Sequence, residues 1–142
     1  EFTGEIRKAL AENPGAFDPR KYLTPAREKI TEIVEHKIKA GVILSGVGCL
    51  YKVVLRTADG VTVKTIDDHY EIVSATGNLS MDGCHIHVSL SDVNLNTIGG
   101  HLKDGCLVNV TAEIVLGEFE DFEFGREFDE STGYKELTIK EL

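Results

Sequence analysis

The chain has 142 residues, 42% of them hydrophobic and 27% charged, with a formal net charge of −9. That composition supports one domain with its own core and excludes a disordered chain. No apolar run approaches the roughly 20 residues needed to span a bilayer, nothing at the start reads as a signal peptide, and the acidic excess disfavours a stand-alone binder of phosphate backbones.

The acid is unevenly spread. Residues 1–40 hold 8 basic and 7 acidic side chains, residues 41–116 hold 4 and 8, and residues 117–142 hold 3 and 9. Glu1 stands where a Met would open a complete chain and is expected to be a processing boundary. The first third predicts helices. Glu5 to Asn13 is built of helix formers and stops at Asn13-Pro14-Gly15. Thr24-Pro25 has the form of an N-cap followed by proline at the first helical position. A helix over Ala26–Lys39 then aligns Ala26, Ile30, Ile33, Val34 and Ile38 as an apolar stripe, ended by Gly41. Its charged face carries His36, expected to be solvated.

From Val42 the period changes to two. Strands are predicted over Val42–Val47, Cys49–Arg56, Val61–Thr65, Tyr70–Thr76, Cys84–Ser91, Leu107–Leu116, Phe122–Phe128 and Glu136–Ile139. Asp59-Gly60, Asp82-Gly83, Asn94 to Asn96 and Asp104-Gly105 mark turns between them. Short connections favour antiparallel pairing, so the expected class is α+β: a mostly antiparallel sheet of about seven strands with a packed helix. The acidic run Glu118 to Glu123 is expected to form a solvated edge element. Gly46 to Gly48 lacks the remainder of any phosphate-binding glycine motif and reads as a bend between strands. Cys49, Cys84 and Cys106 are odd in number and widely spaced, which fits reduced thiols in a cytoplasmic setting and excludes a CxxC metal or redox motif.

The histidines carry the chemistry. In Cys84–Leu90, Cys84, Ile86, Val88 and Leu90 share one face, and His85, His87 and Ser89 the other. His-x-His on a strand therefore sets two imidazoles side by side. Gly99-Gly100-His101, read as a flexible turn, brings a third, and three histidines with one open position are the ligand set of open zinc sites. Imidazole also suits copper, nickel or iron, so a divalent transition metal is the cofactor expected. Glu113, on the polar face of the Leu107–Leu116 strand, is the candidate outer partner or catalytic base. Three readings of His85 and His87 stand: metal ligands, a polar surface or interface, or proton transfer without metal. His69, beside Asp67 and Asp68, is expected to be solvated.

Residues from about 38 to 142 resemble the PPC domain, named for its occurrence in plants and prokaryotes. The likeness rests on Ala40-Gly41-Val42-Ile43-Leu44-Ser45-Gly46-Val47-Gly48, Glu71-Ile72-Val73-Ser74, His85-Ile86-His87-Val88-Ser89-Leu90-Ser91-Asp92, Gly99-Gly100-His101-Leu102 and Thr132-Gly133-Tyr134-Lys135-Glu136-Leu137. The resemblance implies an α/β-type sandwich built on a mostly antiparallel sheet, usually assembled as a homotrimer, and in plants a role in protein–protein contacts. Stand-alone prokaryotic members carry a provisional DNA-binding label. The Arg-Gly-Arg-Pro core of the plant AT-hook is missing from this chain, so direct DNA binding transfers poorly.

Residues 2–37 are similar instead to the C-terminal tail of class II fructose-bisphosphate aldolase. Phe2-Thr3-Gly4, Ile6-Arg7, Leu10-Ala11-Glu12-Asn13-Pro14, Phe17-Asp18-Pro19-Arg20-Lys21-Tyr22-Leu23 and Pro25-Ala26-Arg27-Glu28 carry that likeness. The zinc ligands and catalytic acid of that family lie in a barrel this chain does not contain, so the resemblance implies no aldol chemistry. The expected organisation is an aldolase-tail-like segment at 1–37 and a PPC-like domain at 38–142, with three functional readings. The first is an oligomeric binding or regulatory module with a His85/His87/His101 metal site. The second is a metal-dependent hydrolase or lyase using Glu113, and the third an inactive aldolase-derived fusion.

Overall fold

The computed structural model describes residues 24–27 and 38–142. Within them the chain runs as β1 (Thr24–Pro25), β2 (Ala40–Arg56), β3 (Val63–Ser80), β4 (Gly83–Ser91), β5 (Thr97–Leu102), β6 (Leu107–Glu118), β7 (Phe122–Asp129) and β8 (Tyr134–Glu141). Six strands form one sheet in the order β1-β6-β2-β3-β4-β5, and β7-β8 form a separate hairpin. Every pairing is antiparallel.

The two long strands explain how the sheet closes. β2 pairs with β3 along one edge from Ala40 to Arg56. Its other edge is shared: β6 takes Gly41 to Lys52, and β5 takes the end, Leu55 against Leu102 and Arg56 against His101. The path β2-β3-β4-β5 thus returns to β2, and the curled sheet encloses its own apolar face. Leu50, Val53, Leu55, Ile72, Leu79, Ile86, Val88, Leu90, Leu102 and Cys106 fill that interior. Gly100 permits the closure, since a Cβ there would stand 2.8 Å from the Arg56 carbonyl oxygen.

The expected α+β class with a packed helix is corrected. Strands take 73% of the described residues, and Ala26 and Arg27 alone among them are helical. The remainder of the helix anticipated over Ala26–Lys39 lies outside the described residues as far as residue 37, and Ile38 and Lys39 at its expected end are irregular. The stretch anticipated at 5–13 also lies outside them, as do His36 and the aldolase-like residues before Thr24. The physical reason is that, among the described residues, the core is enclosed mainly by the sheet itself, with Ala26 and Ile38 packed against it. Thr24-Pro25, anticipated as a helix start, instead bridges to Val108 and Leu107.

Two predicted breaks are also absent. Val42–Val47 and Cys49–Arg56 form one strand, as Gly46–Gly48 continues β2 through register shifts at 43/45 and 48/50. Val61–Thr65 and Tyr70–Thr76 likewise merge into β3, with its bulge opposite Leu50 to Lys52. The β7-β8 hairpin folds back on the sheet: Phe124 is buried, its N–H donates to the Lys39 carbonyl at 3.0 Å, and the Phe119 N–H donates to Ala40 at 2.9 Å. Glu118 to Glu123 accordingly forms the end of β6, a turn and the start of β7.

Candidate metal centre

β4 alternates as its sequence requires. Cys84, Ile86, Val88 and Leu90 point into the core, while His85 is half-buried and His87 exposed on the outer face. Gly99-Gly100-His101 is not a turn but part of β5, and His101 pairs directly with His87. Directly opposed residues share a face, so the three imidazoles converge. Ring centroids lie 5.0 Å apart for His85 and His87, 4.8 Å for His85 and His101, and 5.4 Å for His87 and His101. One nitrogen from each ring can be chosen so that all lie within 4.8 Å of one another.

The donor chemistry suits a tetrahedral ion, and one pair of nitrogens already has the spacing it needs. Zn–N bonds of about 2.0–2.1 Å place ligand nitrogens roughly 3.3 Å apart, and Nε2 of His85 and Nε2 of His87 stand at 3.1 Å. His101 Nδ1 is buried and has no hydrogen-bond partner. Burial lowers the affinity of the His85 and His101 rings for protons. His101 is pushed down to about 4, first by desolvation and then by Arg56, His85, His87 and Lys103. His85 is lowered by desolvation, then by His87, Arg126 and Arg56, with Glu136 opposing. Both therefore present neutral nitrogens at pH 7, the protonation state in which imidazole ligates metal.

Glu113 does not join them. It lies exposed on β6 opposite Val47, and β6 is separated from β4 by β2 and β3. His69, anticipated as solvated, is half-buried in β3. Its Nδ1 lies 2.9 Å from Nδ2 of the buried Asn109, and its ring meets Tyr51 edge-on at 4.9 Å. Cys84 is a core residue, as its parity implies.

Neighbours that the sequence did not single out complete the surroundings. Arg56 pairs with His101 from β2, and Asn78 pairs with His85 from β3. Asn78 Oδ1 accepts a hydrogen bond from the Arg126 guanidinium on β7. Arg56 and Arg126 are the lone arginines of residues 41–116 and 117–142. That isolation in acidic stretches was the available signal, yet their neighbours depend on pairings distant in sequence.

The family profile of the Plants and Prokaryotes Conserved (PCC) domain, also abbreviated PPC, matches residues 26–120. Two curated proteins named bifunctional protein GlmU, from Synechococcus strains, are 40% and 41% identical over 108 and 106 residues, about three-quarters of this chain. The chain spans only 17% of the length of each. Fructose-bisphosphate aldolase of Thermus caldophilus matches 38 residues at 50% identity, 27% of this chain and 12% of that protein.

Among solved structures, a hypothetical protein of Salmonella has a TM-score of 0.80 at 30% identity, covering 84% of this chain and 87% of that one. A metal-containing protein of Archaeoglobus fulgidus has a TM-score of 0.63 at 29% identity, covering 82% and 86%. A candidate DNA-binding protein of Bacteroides thetaiotaomicron has a TM-score of 0.70 at 22% identity, covering 81% and 84%, a likeness of fold alone.

Proposed function

The chain belongs to the Plants and Prokaryotes Conserved domain family, and from that premise we propose that it is a homotrimeric binding module whose His85, His87 and His101 hold a divalent transition metal, zinc by donor set. The observation that carries the reading is the convergence of three imidazoles, two of them half-buried and one of these with a buried nitrogen lacking any protein partner. The metal-containing relative of similar fold supports it. When bound, zinc would supply a Lewis-acidic open position.

The chain's own residues do the positioning. β4 fixes the spacing of His85 and His87, and the β5 pairing presents His101 to them. Asn78 ties Arg126, and with it the β7-β8 hairpin, to the strand beside His85. With Glu113 outside this group, the hydrolase or lyase reading lacks the base assigned to it. The bifunctional activity named for the longer relatives is not proposed for this chain. Three widely spaced cysteines, Cys49, Cys84 and Cys106, with no CxxC pair among them, favour a reducing, cytoplasmic setting. No helix among the described residues is long and apolar enough to cross a membrane.

Elemental analysis of protein purified without nickel affinity tests the metal. One equivalent of zinc or a related ion per chain is expected, falling by more than about a hundredfold in affinity in His87→Ala. Substoichiometric metal that His87→Ala leaves unchanged would remove the reading.

A further inference from the structure

We propose that the three-histidine centre takes a small oxyanion, a carboxylate or a phosphate, clamped between the Arg56 and Arg126 guanidiniums. This names the ligand class of the metal site proposed above and rests on that reading. Arg56 stands opposite His101 across β2 and β5, and His101 stands opposite His87 across β5 and β4. Cross-strand partners share a face, so Arg56, His101 and His87 form one row. Arg126 approaches from the other side. Its guanidinium donates to Asn78, the partner of His85 on β3, and its backbone N–H donates to Asp82 Oδ2 at 3.2 Å. The hairpin thereby holds the second guanidinium beside the first histidine.

Arg56 is the informative member. Its Nε is buried without a hydrogen-bond partner, and no described carboxylate forms an ion pair with it. Its guanidinium therefore keeps donor capacity that no described group takes up. Charge argues the same way. Both arginines act electrostatically on the His85 ring, and Arg56 and Lys103 act on His101. The opposing carboxylate acting on His85 is Glu136, which already accepts the Thr132 hydroxyl at 2.9 Å. Three neutral imidazoles leave both charges of a divalent ion uncompensated. In a chain of net charge −9, this spot gathers two guanidiniums, and its neighbouring carboxylates, Glu136 and Asp82, already accept hydrogen bonds from the Thr132 hydroxyl and the Arg126 backbone N–H. The guanidinium fork matches a carboxylate or phosphate through two parallel N–H···O bonds, and the open metal position accepts an oxygen of the same group.

Cobalt-loaded protein, freed of excess metal, tests this through its visible d–d absorption. Acetate and inorganic phosphate are titrated separately, and saturable perturbation by one of them is expected and identifies the source class. Arg56→Gln and Arg126→Gln should retain the cobalt spectrum and stoichiometry while weakening that anion about tenfold or more. Cobalt bound with neither anion perturbing it overturns the proposal and leaves the metal reading intact. So does undiminished anion affinity in both variants, or a response to duplex DNA without one to either small anion. Failure to take up cobalt at all removes the metal reading and this inference together.

Discussion

Asp59 sits at the tip between β2 and β3, where one carboxylate gathers four donors. Its Oδ1 accepts from the Thr57 hydroxyl at 2.8 Å, the Val61 N–H at 3.0 Å and the Thr62 N–H at 2.9 Å, and its Oδ2 accepts from the Thr62 hydroxyl at 2.5 Å. The Thr62 hydroxyl, followed by the Thr62 and Val61 amides and the Thr57 hydroxyl, holds the carboxyl well below its ordinary value of 3.8. A depressed folded-state value means that the stabilisation is complete above the unfolded value and disappears as pH falls toward the folded one. Asp59→Asn should therefore lower the melting temperature at pH 7, with the gap to the parent protein closing as pH falls below about 4. Thermal melts of both proteins over that range measure it, and a gap independent of pH would reject the assignment. Residues of this kind are legible from a local motif, as Asp59-Gly60 was. The same holds for His85 and His87, whose two-residue spacing fixes their shared face whatever surrounds them. Arg56 was not legible: its relation to His101 exists because β5 closes on β2, a contact between residues 45 positions apart in the sequence.

Among the elements, β3 and β4 decide whether the imidazoles stay aligned. Gly77 lies opposite Ile86, where a Cβ would stand 2.4 Å from the His85 carbonyl oxygen and 3.0 Å from the Ile86 Cα. Both are backbone atoms and cannot swing aside. Gly77→Ala must push β4 away from β3 at the strand that carries two ligands, so a loss of about 1–3 kcal/mol is expected together with weaker zinc binding. Denaturant unfolding and competitive chelator titration read the two effects; full metal affinity in a destabilised variant would show that the histidines do not depend on this pairing. The alternation of β4 was readable from side-chain chemistry alone, as was the strand character of nearly every segment after Val42. What misled was punctuation. Gly46–Gly48 and Asp67-Asp68-His69 have turn composition, yet they occupy bulged stretches of continuous strands. In Gly99-Gly100-His101 the glycines serve close approach: a Cβ on either would stand 2.8 Å from a neighbouring carbonyl oxygen. Composition cannot separate a glycine that turns the chain from one that lets two strands meet.

For the whole molecule, the outer face of β2 and β6 presents Leu44, Val47 and Val115, which are 65%, 45% and 54% exposed. A homotrimer has reason to bury them, and Val47→Glu should then reduce the molar mass seen by light scattering from three chains toward one while the circular dichroism spectrum is retained. A wild-type protein that already scatters as a monomer would end that reading. The DNA label borne by a relative of similar fold meets a stricter test, because it must overcome charge. Phosphate contacts bind by releasing counterions and need clustered Lys or Arg, whereas residues 41–142 carry 7 basic and 17 acidic side chains. The two arginines beside the histidines suffice for one small anion, not for a track along a duplex. No retardation of duplex DNA at physiological salt is therefore expected, and any association in dilute buffer should vanish steeply as salt rises. Retardation that persists at physiological salt and weakens in Arg56→Gln would instead assign those guanidiniums to a nucleic-acid backbone.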